Sequence, residues 1–74
     1  MSKPGLAEHN ERIIRDVISV AVYALDEGFP MPGAGAIARV TGDHHSSVRK
    51  ACEALKQDGT ILIGPGRRVL EVRV

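Results

Sequence analysis

Aromatic residues are nearly missing from this chain of 74 residues, which has no Trp, one Phe and one Tyr. A core must therefore come from Ile, Leu, Val and Ala, and a single small domain of this length is near the lower limit for one such core. Cysteine occurs once, at Cys52, which excludes an internal disulfide and fits a reducing cytoplasm. Long apolar runs are missing too. The longest, Val17 to Leu25, is interrupted by Ser19 and follows Arg15-Asp16, so it is too short to span a bilayer. Met1-Ser2-Lys3-Pro4-Gly5 breaks any signal-peptide pattern. No Ser/His/Asp set or paired-carboxylate arrangement emerges, and so small a body leaves little room for a substrate pocket. The expectation is a cytoplasmic, nucleoid-associated protein without membrane contact, enzymatic activity or cofactor.

What the chain does have is positive charge gathered at one end. The formal net charge is only +1, but residues 1–38 carry three basic groups against five acids, whereas residues 39–74 carry seven against four. Such an asymmetry points toward an anionic partner on the C-terminal half.

Periodicity predicts three helices and a hairpin. Ile13, Ile14, Val17, Ile18, Val20, Ala21, Ala24 and Leu25 form one broad helical stripe between Glu8 and Glu27. Gly28 offers a stop, and Pro30-Met31-Pro32 cannot continue a helix. A second helix is expected over 33–40, with Ala36, Ile37 and Val40 inward. Gly42 supplies a turn. Asp43 or His44 then caps the third helix, Asp being the better cap by intrinsic preference. There Val48, Ala51, Cys52 and Leu55 fall at i, i+3, i+4 and i+7, leaving Ser46, Ser47, Arg49, Lys50 and Glu53 outward.

The hairpin follows from alternation. With Gly64-Pro65-Gly66-Arg67 as tip, Ile61 should oppose Leu70, and Ile61, Ile63, Leu70, Val72 and Val74 should share the inner face. Leu62, Val69, Glu71 and Arg73 then face outward. Residues 1–7 read as a flexible arm, and 8–74 as one domain.

A polar, basic helix followed by a basic hairpin suits duplex DNA, whose major groove admits a helix while a hairpin reaches the adjacent backbone. The expected contact set is His44, His45, Ser46, Ser47, Arg49 and Lys50 on the helix, with Gly66, Arg67 and Arg68 on the hairpin. Arg49 has the fork that matches guanine O6 and N7. Ser46 and Ser47 sit where a helix N-terminus favours phosphate. Other patterns fail on context. His44, His45 and Cys52 lack the spaced second pair of a metal site, and Cys52 belongs to the buried stripe. Gly33-Ala34-Gly35-Ala36-Ile37-Ala38 fits a dinucleotide fingerprint in letters only, with no preceding strand.

From Phe29 to about Val72 the chain resembles the winged-helix DNA-binding domain of GntR-class bacterial regulators. The family's Leu-Pro-Ser-Glu-Arg-Glu-Leu-Ala is echoed by Met31-Pro32-Gly33-Ala34-Gly35-Ala36-Ile37-Ala38. Its turn and recognition helix are echoed by Gly42, His44, Ser46, Ser47, Val48, Arg49 and Ala51. Leu55 and Gly59 match the helix ending, and Pro65-Gly66-Arg67 the wing. Gly33-Ala34-Gly35 departs from the family's Ser-Glu-Arg, removing a cap and a basic side chain, and Arg68 replaces the wing's second glycine.

The resemblance implies an α+β, mostly α, winged helix-turn-helix: three helices followed by a two-stranded wing. It implies a sequence-specific double-stranded DNA-binding regulator, a repressor by occupancy, of bacterial, phage or plasmid origin. The resemblance extends over no effector domain, so no small-molecule effector is expected. A lone module makes few phosphate contacts, which favours a homodimer or a DNA-templated oligomer joined through helix 1 around Val22 and Tyr23. Two alternatives are an architectural, excisionase-like or partition protein, and a winged helix that binds a host enzyme.

Overall fold

The computed structural model describes residues 4–73. Its elements are α1 (Pro4–Glu27), α2 (Ala34–Thr41), α3 (His45–Gln57), β1 (Ile61–Ile63) and β2 (Val69–Val72). The two strands pair antiparallel as a hairpin. The fold is α+β and mostly helical, three helices then a hairpin, which is compatible with a winged-helix layout.

α1 begins at Pro4, four residues before the expected Glu8. Proline suits the first helical position because its missing N–H would have no helical partner there. The helix therefore takes up residues 4–7 of the expected arm, and residues 1–3 lie outside the described residues. Ile13, Val17, Ala21 and Ala24 form its buried seam, with Ile14, Ile18 and Val20 packed beside it. Leu25, expected in that seam, is exposed instead.

α2 is turned relative to expectation. Its inward set is Ala34, Ile37, Ala38 and Thr41, at i, i+3, i+4 and i+7. Val40 lies on the other side of Ile37 from Ala38 and is 85% exposed, and Ala36 is exposed as well. Gly42, at φ +80°, then reverses the chain and donates its N–H to Ala38 O at 2.8 Å. A left-handed residue is what ends the helix within one step and starts the next helix across it. α3 buries Val48, Ala51 and Leu55 against α1 and α2.

The hairpin register differs from simple alternation. Ile61 opposes Val72, Leu62 opposes Glu71 and Ile63 opposes Val69, so Leu70 is the extra residue of a bulge. The tip is also longer than expected, closed by Gly64 N–H donating to Arg68 O at 2.8 Å. Val69 consequently turns inward and is buried, while Leu70 is 58% exposed. Leu70 lies over Gly64, where a Cβ would stand 2.9 Å from its Cδ1. Val74, expected on the inner face, lies outside the described residues.

All three helices and both strands contribute to one aliphatic core, in which Ile13, Ile37, Ile61, Val17 and Val48 are the largest enclosed side chains. Neither aromatic residue joins it. Tyr23 and Phe29 are both exposed, their rings 6.0 Å apart.

Candidate nucleic-acid interface

α3 owes its start to His44 and its orientation to Asp43. His44 is the N-cap, its side chain accepting from Ser46 N–H at 3.3 Å, with Nδ1 also 2.8 Å from Ser46 Oγ. Asp43, the expected cap by propensity, is used elsewhere. Its carboxylate is 1% exposed and pairs with the Arg12 guanidinium of α1. A carboxylate turned inward to meet α1 cannot also reach the N–H groups at the start of α3.

The expected contact residues divide around α3. His45, Ser46, Arg49 and Lys50 are exposed and Ser47 is half-buried. At 100° per residue, His45, Arg49 and Lys56 lie on the flank facing α2 and the hairpin, whereas Ser47 and Lys50 lie on the flank facing α1. Between them sits Glu53, whose Oε1 is 3.7 Å from Arg49 Nε. On the α1 side, Ser47 and Lys50 border a small hollow with Asn10, Ile13 and Ile14, of about 220 Å³.

The other flank opens on a larger groove of about 430 Å³, walled by the start of α2, by α3, by β1 and by the hairpin tip. Its rim carries His45, Arg49, Lys56 and Arg67, with Glu53 as its acid. Gly33 and Gly35 leave space at this wall. The Arg67 guanidinium lies 3.5 Å from where a Gly33 Cβ would stand, and the His45 ring is 3.5 Å from the corresponding point at Gly35. Lys56 was not among the expected contact residues. Its place follows from helical spacing alone, since Arg49, Cys52 and Lys56 are three and four residues apart.

The hairpin tip is tied back to the α1–α2 connection. Met31 N–H donates to Arg67 O at 2.7 Å, and Pro30 forms a bridge with Arg68. Gly66 and Arg67 take left-handed conformations at φ +71° and +61° to make that turn. The Arg68 guanidinium lies 4.0 Å from where a Gly28 Cβ would stand. Gly66, Arg67 and Arg68 are all exposed, but the two arginine side chains run along a seam shared with the connection. Among the described residues, no ion pair engages Lys50, Lys56, Arg67 or Arg68.

Cys52 lines the same groove and is half-buried. Burial pushes its thiol above the ordinary value, against the opposing pull of Lys56 and Arg67. Among the described residues, no group of three His, Cys, Asp or Glu side chains is placed to hold a metal ion. Nor is any helix among them long and apolar enough to cross a membrane.

The expected assembly residues separate as well. Val22 and Tyr23, adjacent in sequence, point about 100° apart on α1. Val22 shares its flank with Leu25, each a little over a third exposed, while Tyr23 meets Phe29. Comparison of the chain with protein-family models, curated proteins and solved structures gives no significant match.

Proposed function

We propose that this chain is a sequence-specific duplex-DNA-binding module that regulates transcription by occupancy, as a small repressor. One observation carries the reading: the polar, cationic face of α3 is exposed beside a hairpin tip whose two arginines have no carboxylate partner among the described residues. In this reading α3 enters the major groove with its first two turns, Arg49 reading a guanine edge. Ser46 and Lys50 hold phosphates, and Arg67 and Arg68 meet the flanking backbone. The GntR-like order of Gly42, Ser46, Ser47, Val48 and Arg49 supports the same assignment.

The test is selection from a random duplex library, followed by affinity measurements at several salt concentrations. The expected result is a preferred site whose affinity falls steeply with salt. Arg49→Ala should cost about 1–3 kcal/mol on that site and flatten preference at one position. Salt-independent or undetectable binding would remove the DNA reading.

A second reading has its own observation. The exposed Tyr23–Phe29 pair, in a chain with no other aromatic residues, is the kind of surface that protein partners use. A protein-binding winged helix would keep its partner when Arg49 is removed and lose it on substitution of Tyr23.

A further inference from the structure

An acid stands in the middle of the cationic face of α3. The side chain of Glu53 is 59% exposed, with Arg49 and Lys56 on one side of it and Lys50 on the other. A carboxylate there repels phosphates, and DNA contact as described above gives it no role. Helix stability does not account for it either. The acid lies four residues C-terminal to its basic partner, which is the less favourable of the two orders. It also lies toward the negative end of the α3 dipole.

The partner that Glu53 takes is informative. Arg49, Lys50 and Lys56 lie four, three and three residues away, all neighbours on a helix surface. Glu53 pairs with Arg49, Oε1 standing 3.7 Å from Nε. Among the described residues, no ion pair engages Lys50 or Lys56. The contact is at the inner nitrogen of the guanidinium. Long helical side chains lean toward the helix N-terminus, so Glu53 reaches Arg49 from behind while Arg49 extends toward the first turns of α3. The outer edge, Nη1 and Nη2, stays open, and that fork matches guanine O6 and N7.

We infer that Glu53 is the positioning residue for Arg49 and directs its guanidinium to a base edge instead of a phosphate. The inference rests on the DNA reading. On a duplex, phosphates compete for a flexible arginine without regard to sequence. Glu53 repels them and holds the Nε side, so it lowers affinity for every duplex and adds discrimination at one base pair. An exposed pair of this kind contributes little in water. Once a duplex displaces water from the face, the attraction is screened less and the restraint on Arg49 tightens.

Equilibrium binding tests this on the selected site, on that site with each base pair replaced in turn, and on random duplex. Glu53→Gln removes the charge, keeps the length and remains a good helix former. It should bind random duplex more tightly than the parent, yet lose about fivefold of the preference at the base pair that Arg49→Ala flattens. In the Arg49→Ala background the same change should leave preference unaltered at every position, because the group that it positions is gone. Glu53→Asp withdraws the charge from Nε without removing it, and should lose preference without gaining affinity for random duplex. A uniform gain on all duplexes with preference intact would overturn the inference and leave Glu53 as a repelling charge. Preference lost at a different base pair would overturn it too, since Glu53 would then read a base itself. In both of these outcomes the parent still selects its site, so the DNA reading stands. A parent protein without a preferred site removes that reading and this inference together.

Discussion

The Arg12 guanidinium reaches Asp43 Oδ1 from a position 31 residues away, tying the middle of α1 to the turn between α2 and α3. Asp43 is the buried partner, 1% exposed, while Arg12 is 57% exposed. The second carboxylate oxygen, Oδ2, is enclosed without a hydrogen bond among the described residues. The burden of the pair therefore falls on the carboxylate, which needs the cation more than the cation needs it.

Unequal burial predicts unequal mutational costs. Arg12→Ala leaves a buried carboxylate without its cation and should destabilise by about 2–4 kcal/mol. Asp43→Ala removes the enclosed charge, and the Arg12 side chain is already more than half exposed, so its cost should be smaller. Urea denaturation of both variants and of the double mutant measures the difference. A larger loss for Asp43→Ala would mean that the turn, and not the charge, is what the pair protects.

The bulge in the hairpin makes a prediction opposite to that of alternation. Val69→Ala should cost about 1–3 kcal/mol, because its side chain is buried. Leu70→Ala, at an exposed position, should cost less than about 0.5 kcal/mol. The reverse order in thermal unfolding would restore Leu70 to the core face.

These two cases show where the sequence was readable. Helical spacing located three helices because Val17, Val48 and Leu55 each belong to a long periodic set. It misjudged α2, where eight residues offer too few turns to tell Val40 from Ala38. The strands were placed correctly, and Glu71 and Val72 keep the faces that alternation predicts, but the bulge exchanges Val69 and Leu70, and no local signal at Leu70 marks it. Asp43 has the better intrinsic capping preference, yet yields the cap because a partner on another helix holds its carboxylate. In the candidate site the residue types were legible, whereas their division onto two flanks of α3 depends on how α2 and the hairpin pack against it. Arg67 folds back over Gly33 and His45 lies over Gly35, two positions that sequence registered only as departures from a family pattern.

The wing arginines should act on affinity without acting on sequence preference. Replacing Arg67 and Arg68 with Ala keeps the backbone bond from Met31 N–H to Arg67 O. Binding to all duplexes should weaken alike, and the logarithmic salt slope should shallow by roughly 0.9 for each phosphate that is no longer neutralised. An unchanged slope would place the hairpin away from the DNA backbone.

Cys52 offers a pH-dependent probe of the groove. Burial is the leading influence on its thiol and raises the pKa, while Lys56 and Arg67 pull it down. Because the thiolate is the reacting form, alkylation by iodoacetamide should lag that of a free cysteine at neutral pH and gain on it as pH rises. Removing Lys56 takes away a lowering charge, so Lys56→Ala should slow the reaction further and move its pH profile upward. A variant profile shifted downward would show that Lys56 acts on the thiol mainly by covering it and not through its charge.

Assembly provides the last prediction. Tyr23 is 61% exposed and Phe29 51%, and their rings lie 6.0 Å apart, Tyr23 on α1 and Phe29 just beyond its end. Val22 and Leu25 occupy the neighbouring flank, about 100° round the helix from Tyr23. A fully buried aromatic side chain covers about 150–250 Å². Two half-exposed rings from each of two copies thus bury on the order of 400 Å², well short of the roughly 1,200 Å² of a stable interface. The protein alone should therefore sediment as a monomer. On DNA, where neighbouring copies are held at high local concentration, the same contact should give cooperative loading on half-sites about one helical turn apart. Tyr23→Glu combined with Phe29→Glu should abolish cooperativity and spare binding to a single half-site. Val22→Glu with Leu25→Glu should leave cooperativity in place. Independent loading by the parent protein, or loss of cooperativity only in the Val22 and Leu25 variant, would move the contact away from the aromatic pair.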